Sequence, residues 1–132
     1  MMRFAFLSSL NELLNDPLAF LESLLYRVPA MLIALVLHEW AHGFVAYKLG
    51  DPTAKQMGRL SLNPLRHLDP LGTALLFLVG FGWAKPVPID PRYFKNKHRD
   101  DLLVSIAGIT MNLIIFIVFY TLYYVALRAA VS

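Results

Sequence analysis

The chain has 132 residues, 58% of them hydrophobic and 16% charged, with a mean hydropathy of +0.56. An average soluble domain is roughly 45–50% apolar and about 25% charged, and a domain this short leaves much of its surface in contact with solvent, so the excess of apolar surface calls for lipid. The net charge of +3 sits in loops between apolar runs, where cytoplasmic flanks of membrane helices collect it, so no nucleic-acid partner is expected; the absence of cysteine excludes disulfides and thiolate metal sites and leaves His, Asp and Glu as metal ligands.

Along the chain, Met1 to Leu10 carries one Arg and a short apolar stretch, but Asn11 and Glu12 interrupt it and no small-residue cleavage pattern follows, so it does not read as a signal peptide. Asp16-Pro17 is a helix start, because Asp can cap free amides and Pro suits the first helical position. Leu18, Leu21, Leu24 and Leu25 then share a face, which predicts an interfacial or partly inserted helix over 17–27. Pro29 opens a second helical run to about Leu49, roughly 20 residues and so about the 30 Å of a hydrocarbon core, ended by Gly50-Asp51-Pro52.

Residues 51–69 are polar, and Asn63-Pro64 favours a turn. Residues 70–83 are apolar but number only about 14 and contain Gly72, Gly80 and Gly82, which suits a re-entrant segment better than a full span. A loop rich in Pro and basic residues follows over 84–100, and Asp100 and Asp101 precede an apolar helix to Leu127, closed by Arg128, with both ends matching the helix dipole. Loops 50–69 and 84–100 are both basic, so both belong on the cytoplasmic side, and a full span between them would separate them.

The expected fold is therefore all-α: an integral membrane helical protein with two full spans plus a short re-entrant or half-spanning segment, the first span running inward and the last outward. The expected organisation is an N-terminal interfacial segment, 1–27, and a membrane-embedded core, 28–132. Trp83, Tyr93, Tyr123 and Tyr124 read as interfacial anchors.

Within the first span lies Leu37-His38-Glu39-Trp40-Ala41-His42-Gly43, an H-E-x-x-H pattern. Positions i and i+4 lie one turn apart on one helix face, so His38 and His42 can bind one Zn2+, while Glu39 can act as general base on a water held there. Two His and a Glu inside a lipid-spanning run are expensive, and such residues are functional candidates by default. The bland alternative is a polar cluster satisfied by neighbouring helices. Ser105, Gly108 and Asn112 share a face of the last helix; interhelical packing is the preferred reading of Asn112, and stabilisation of substrate or oxyanion the sharper one.

HEWAHG, the stretch Asn63-Pro64-Leu65-Arg66-His67-Leu68-Asp69-Pro70-Leu71-Gly72-Thr73, the stretch Gly82-Trp83-Ala84-Lys85-Pro86-Val87-Pro88, and Ala107-Gly108-Ile109-Thr110-Met111-Asn112-Leu113 together resemble the site-2 protease family of zinc intramembrane proteases. The likeness runs from about Val28 to Leu127. It implies His38 and His42 as zinc ligands, Glu39 as the catalytic residue, transmembrane segments of other proteins as substrates, and a multi-pass protein of the cell membrane; self-association is left open. Two departures stand out. Members usually carry Pro where this chain has Ile109, which bears on the local helix start or kink. They also close the zinc site with an Asp from a Leu-Asp-Gly motif on a later helix, which this sequence does not contain.

A catalytic zinc needs three protein ligands and an open position. Asp69 and His67 are the nearby candidates for the third. Asp69 before Pro70 reads more naturally as a turn or cap residue, and His67 as a residue of the membrane surface or loop. A catalytically incomplete relative or fragment that binds membrane partners is the main rival to an enzyme. A metal carrier would repeat its ligands along a path, and a soluble zinc hydrolase is disfavoured by the apolar run.

Overall fold

The computed structural model describes residues 11–79 and 82–131, so Met1 to Leu10 and Gly80 lie outside the described residues. Among the described residues the helices α1 (Pro17–Lys48), α2 (Thr53–Gln56), α3 (Pro70–Val79) and α4 (Lys97–Val131) follow one another, with 3-10 turns at Pro64–Arg66 and Pro91–Tyr93. A helical stretch over residues 11–15 precedes α1. No strand occurs among the described residues, and the all-helical expectation holds.

Asp16 starts α1 as expected: its carboxylate accepts from the Ala19 N–H at 3.0 Å, with Pro17 in the first turn. The expected break at Pro29 does not occur. The helix runs unbroken through Pro29 for 32 residues, so residues 17–27 and the metal-motif segment form a single rod. Proline removes one intrahelical N–H and crowds the preceding turn, but neighbouring turns can carry a helix past it in an apolar setting. The helix stops where expected, because Gly50 adopts φ +109°, a backbone region closed to most residues with a side chain.

α4 starts three residues before the Asp pair. Asn96 caps it, accepting from the Arg99 N–H at 3.2 Å, while Asp100 reaches back to the Asn96 N–H at 3.1 Å. It continues past Leu127 to Val131 and passes Ile109 without interruption.

Among the described residues two helices are long and apolar enough to cross a bilayer, α1 and α4; only 11% and 17% of their most apolar windows are buried within the chain. The helices of a soluble core would be mostly covered, so this surface is left for lipid or for other protein, and the chain is membrane-associated. α3 has ten residues, about 15 Å at 1.5 Å per residue, half of what a span requires.

α1 and α4 pack antiparallel, His42 beside Val104 and His38 beside Asn112. The two loops gather at their shared end. Lys85 N donates to His67 O at 2.8 Å, Leu68 and Ala84 form an isolated antiparallel bridge, and the Arg59 guanidinium donates to Lys85 O at 2.6 Å. Ala46, Phe94 and Val104 make a small buried core there, with Val45, Leu49 and Ile89 against it. Loops expected on one side of the membrane are thus joined to each other at one end of the helix pair.

Candidate metal centre

His38 and His42 stand one turn apart on α1, and their rings meet edge to face with centroids 4.7 Å apart. The two Nε2 atoms converge to 3.1 Å. Val104 of α4 fixes the second ring: its carbonyl oxygen lies 2.6 Å from His42 Nδ1. A carbonyl only accepts, so Nδ1 carries the proton and Nε2 presents a bare lone pair. The first ring is fixed from the same helix two turns on, where the Asn112 side-chain amide lies 3.1 Å from His38 Nδ1.

Glu39 points to a different wall. Its Oε2 accepts from the Val87 N–H at 3.0 Å, so the extended segment after α3 reaches the glutamate of the motif and leaves the other carboxylate oxygen available. A cavity of about 380 Å³ opens beside it, lined by Glu39, His42, Val87, Asp101 and Ser105. Asp101 stands in the first turns of α4, so the cavity connects the motif to the loop end of the molecule.

The residues fit a metal ion in two respects. Nitrogens that bind one tetrahedral zinc at about 2.0–2.1 Å lie about 3.3 Å apart, close to the separation found here. The space facing them is also kept open: a Cβ on Gly108 would stand 2.5 Å from His38 Nε2 and 2.5 Å from His42 Nε2, so only glycine leaves a cradle at this point of α4. Among the described residues no group of three or more His, Cys, Asp or Glu that could hold a metal ion comes together, so the site offers two converging imidazole nitrogens.

The other candidates separate. Asp69 Oδ1 accepts from the Leu71 N–H at 3.1 Å and the Gly72 N–H at 2.9 Å, and so caps α3 as the turn chemistry suggested. His67 lies in the loop, one of its two expected places, but not at a surface: it is 0% exposed, its Nε2 2.6 Å from the Ser61 carbonyl oxygen. Its depth follows from the Lys85 and Leu68–Ala84 contacts, which close the second loop over it. Asn112 does bridge two helices, but onto a motif histidine. Sequence reasoning also missed the Val87 amide and the Val104 carbonyl. Backbone groups leave no compositional trace, although the paired prolines around Val87 mark an extended segment.

Comparison with known proteins decides the lineage. A relative designated "Putative zinc metalloprotease YwhC" in Bacillus subtilis (strain 168) is 52% identical over 98 residues, 74% of this chain and 45% of the relative. "Putative zinc metalloprotease Rip2" of Mycobacterium tuberculosis (strain ATCC 25618 / H37Rv) is 34% identical over 103 residues, 74% of this chain and 39% of the relative. The Mycolicibacterium smegmatis protein of the same designation is 30% identical over 105 residues, covering 75% and 40%.

The chain is thus similar to putative zinc metalloproteases of the site-2 protease family. It spans less than half the length of these curated relatives. No protein-family model and no solved structure matches it. Three of the four motifs that carried the family resemblance meet in space: HEWAHG supplies the histidines and Glu39, GWAKPVP the Val87 amide, and AGITMN the cradle and Asn112. The fourth, around Asp69, caps α3 and holds the loop bridge.

Proposed function

We propose that the chain forms the catalytic half of a zinc-dependent intramembrane endopeptidase that hydrolyses peptide bonds within transmembrane segments of other proteins. The observation that carries this reading is the convergence of His38 and His42 Nε2 to 3.1 Å around a glycine cradle, with Glu39 held beside them, on a helix apolar enough to cross a bilayer.

His38 and His42 would hold the zinc. When bound, the metal supplies a Lewis acid that polarises the scissile carbonyl and lowers the pKa of a water to about 7. Glu39 takes a proton from the attacking water and returns it to the departing amine, with Val87 N–H holding one of its oxygens and orienting the other. The cavity toward Asp101 gives water a route from the loop end, which charge asymmetry assigns to the cytoplasm. A substrate helix must unwind locally, since a regular helix pairs its carbonyls along its own axis. The third ligand comes, on this proposal, from sequence of the full-length protein outside these 132 residues, in keeping with relatives more than twice as long as the aligned region. Placement as a multi-pass protein of the cell membrane belongs to the same reading.

A second reading, a family member that binds membrane partners without cleaving them, is favoured by the absence of a three-ligand group among the described residues. Glu39→Gln in the full-length protein separates the two. An enzyme loses about 10²–10⁴-fold in cleavage of a transmembrane substrate, the span of general-base catalysis, and keeps its zinc. Equal cleavage by Glu39→Gln and wild type would exclude the catalytic role, and wild-type protein that carries zinc without cleaving would favour the scaffold.

A further inference from the structure

We propose that Gly108 and Asn112, successive turns of one face of α4, shape the metal position and select the form of His38 that can bind there. This rests on the zinc reading above and extends it to residues that are neither ligands nor catalytic.

The steric half comes from Gly108. Any ion bound equally by His38 and His42 lies on the plane midway between their Nε2 atoms. A Cβ on Gly108, 2.5 Å from each, would lie on that same plane, inside contact distance of both nitrogens. Both rings are pinned from behind by α4, His42 through Val104 O and His38 through Asn112, so neither can retreat without losing a hydrogen bond. Glycine at 108 therefore keeps the ion's space empty while letting α4 approach closely enough to make those two contacts.

The second half comes from proton bookkeeping along the same helix. As arranged, the Asn112 amide nitrogen is the atom nearest His38 Nδ1, at 3.1 Å. It donates to that nitrogen, which places the His38 proton on Nε2, and Nε2–H donates to the bare Nε2 of His42. His42 Nδ1–H donates onward to Val104 O, so every ring nitrogen is satisfied within the chain. A metal ion needs the opposite tautomer of His38, with Nε2 bare and the proton on Nδ1. Asn112 meets both demands by turning its amide half a revolution: the NH2 group faces His38 without metal, and the carbonyl oxygen accepts from Nδ1–H with it. Asn is suited to this because it offers a donor and an acceptor at nearly the same position; Leu offers neither and Asp only the acceptor. Such outer partners of metal-binding histidines typically carry 10–100-fold in metal affinity.

The test uses full-length protein in detergent, with zinc content and chelator-competition affinity as readouts and 15N shifts of labelled His as the tautomer signature. Asn112→Leu is expected to weaken zinc binding 10–100-fold. Asn112→Asp, which supplies the acceptor, is expected to restore it to within a few-fold. The wild-type His38 signals should exchange Nε2–H for Nδ1–H on zinc addition. Gly108→Ala should drop zinc stoichiometry well below that of wild type with elution and melting profile retained; should that variant fail to fold, the Asn112 pair decides alone. Wild-type affinity in Asn112→Leu, or no recovery in Asn112→Asp, overturns the role of Asn112, and full zinc in folded Gly108→Ala overturns the cradle. Wild-type protein that takes up no zinc at all refutes the underlying reading as well, which separates the two failures.

Discussion

The two ends of the α1–α4 pair are held by different means. At the Lys48 end α1 is tied by side chain to backbone contacts, His42 to Val104 of α4 and Glu39 to Val87 of the segment before it, and both loops fold over a small core of Ala46, Phe94 and Val104. At the other end an apolar gap of about 570 Å³ opens between Pro29, Ala30 and Ile33 on one side and Phe116, Phe119 and Tyr120 on the other. Most of α4 beyond Asn112 is exposed within the chain. Directional polar contacts fix geometry to a few tenths of an ångström, which a metal centre demands; apolar surface facing lipid needs only to be covered. The difference shows which half must be rigid and which can accept a neighbour.

The largest effect expected concerns the metal. His38→Ala or His42→Ala should remove most zinc from full-length protein while membrane insertion stays intact, because neither residue helps a helix partition into lipid. Metal analysis of membrane-extracted protein checks this, and unchanged zinc in both variants would sink the assignment. Next comes the clamp at the tied end. Asp51 is 0% exposed and accepts from the Thr53 N–H at 2.9 Å, the Thr53 hydroxyl and the Asp90 N–H at 2.7 Å. Asp51→Ala leaves these donors unpaired and should cost about 2–4 kcal/mol, read as a lower melting temperature and faster amide exchange over residues 84–94. A matching loss on replacing Phe119 by Ala would erase the contrast between the ends; that change should cost less than about 1 kcal/mol, because the side chain is already mostly outside the packed interface.

Topology sharpens the same comparison without a change in stability. Engineered cysteines near Lys55 and Lys95 should be labelled from one side of the membrane, because their loops are bonded to each other. Labelling from opposite sides would require residues 70–83 to span. The smallest effect is a titration. The Arg92 guanidinium, bonded to the Asp90 carboxylate and 2.6 Å from it at its nearest, holds that carboxyl below its ordinary value. Whatever stability the pair supplies is present above the ordinary carboxylate range and lost as pH falls through the lowered value. Arg92→Ala should move the Asp90 titration back up, as seen by NMR, with little change at the helix pair.

The parts of this arrangement written in local chemistry were readable from sequence. Apolar length marked α1 and α4, Gly50-Asp51-Pro52 marked the first helix end, and i,i+4 spacing placed two histidines on one face. Asp69 could be read as a cap because capping needs only neighbours three residues on. What escaped was set by contacts distant in sequence: the burial of His67, the pairing of Asn112 with His38, and the reach of Val87 to Glu39. Pro29 misled for the opposite reason. In water a proline is a strong helix breaker, and nothing local says that the surroundings will carry the helix through it.

The prolines on either side of Val87 have a consequence for error. Neither Pro86 nor Pro88 has an N–H, so in this run of three only Val87 can donate to Glu39. A slip of the extended segment by one residue in either direction would bring a group with no donor opposite the carboxylate. The contact is therefore all or none, with no nearly correct register to settle into. The Asp51 to Asp90 bond, three residues farther along, locks the segment against that slip. The glutamate is thus aimed by a ratchet with a single tooth.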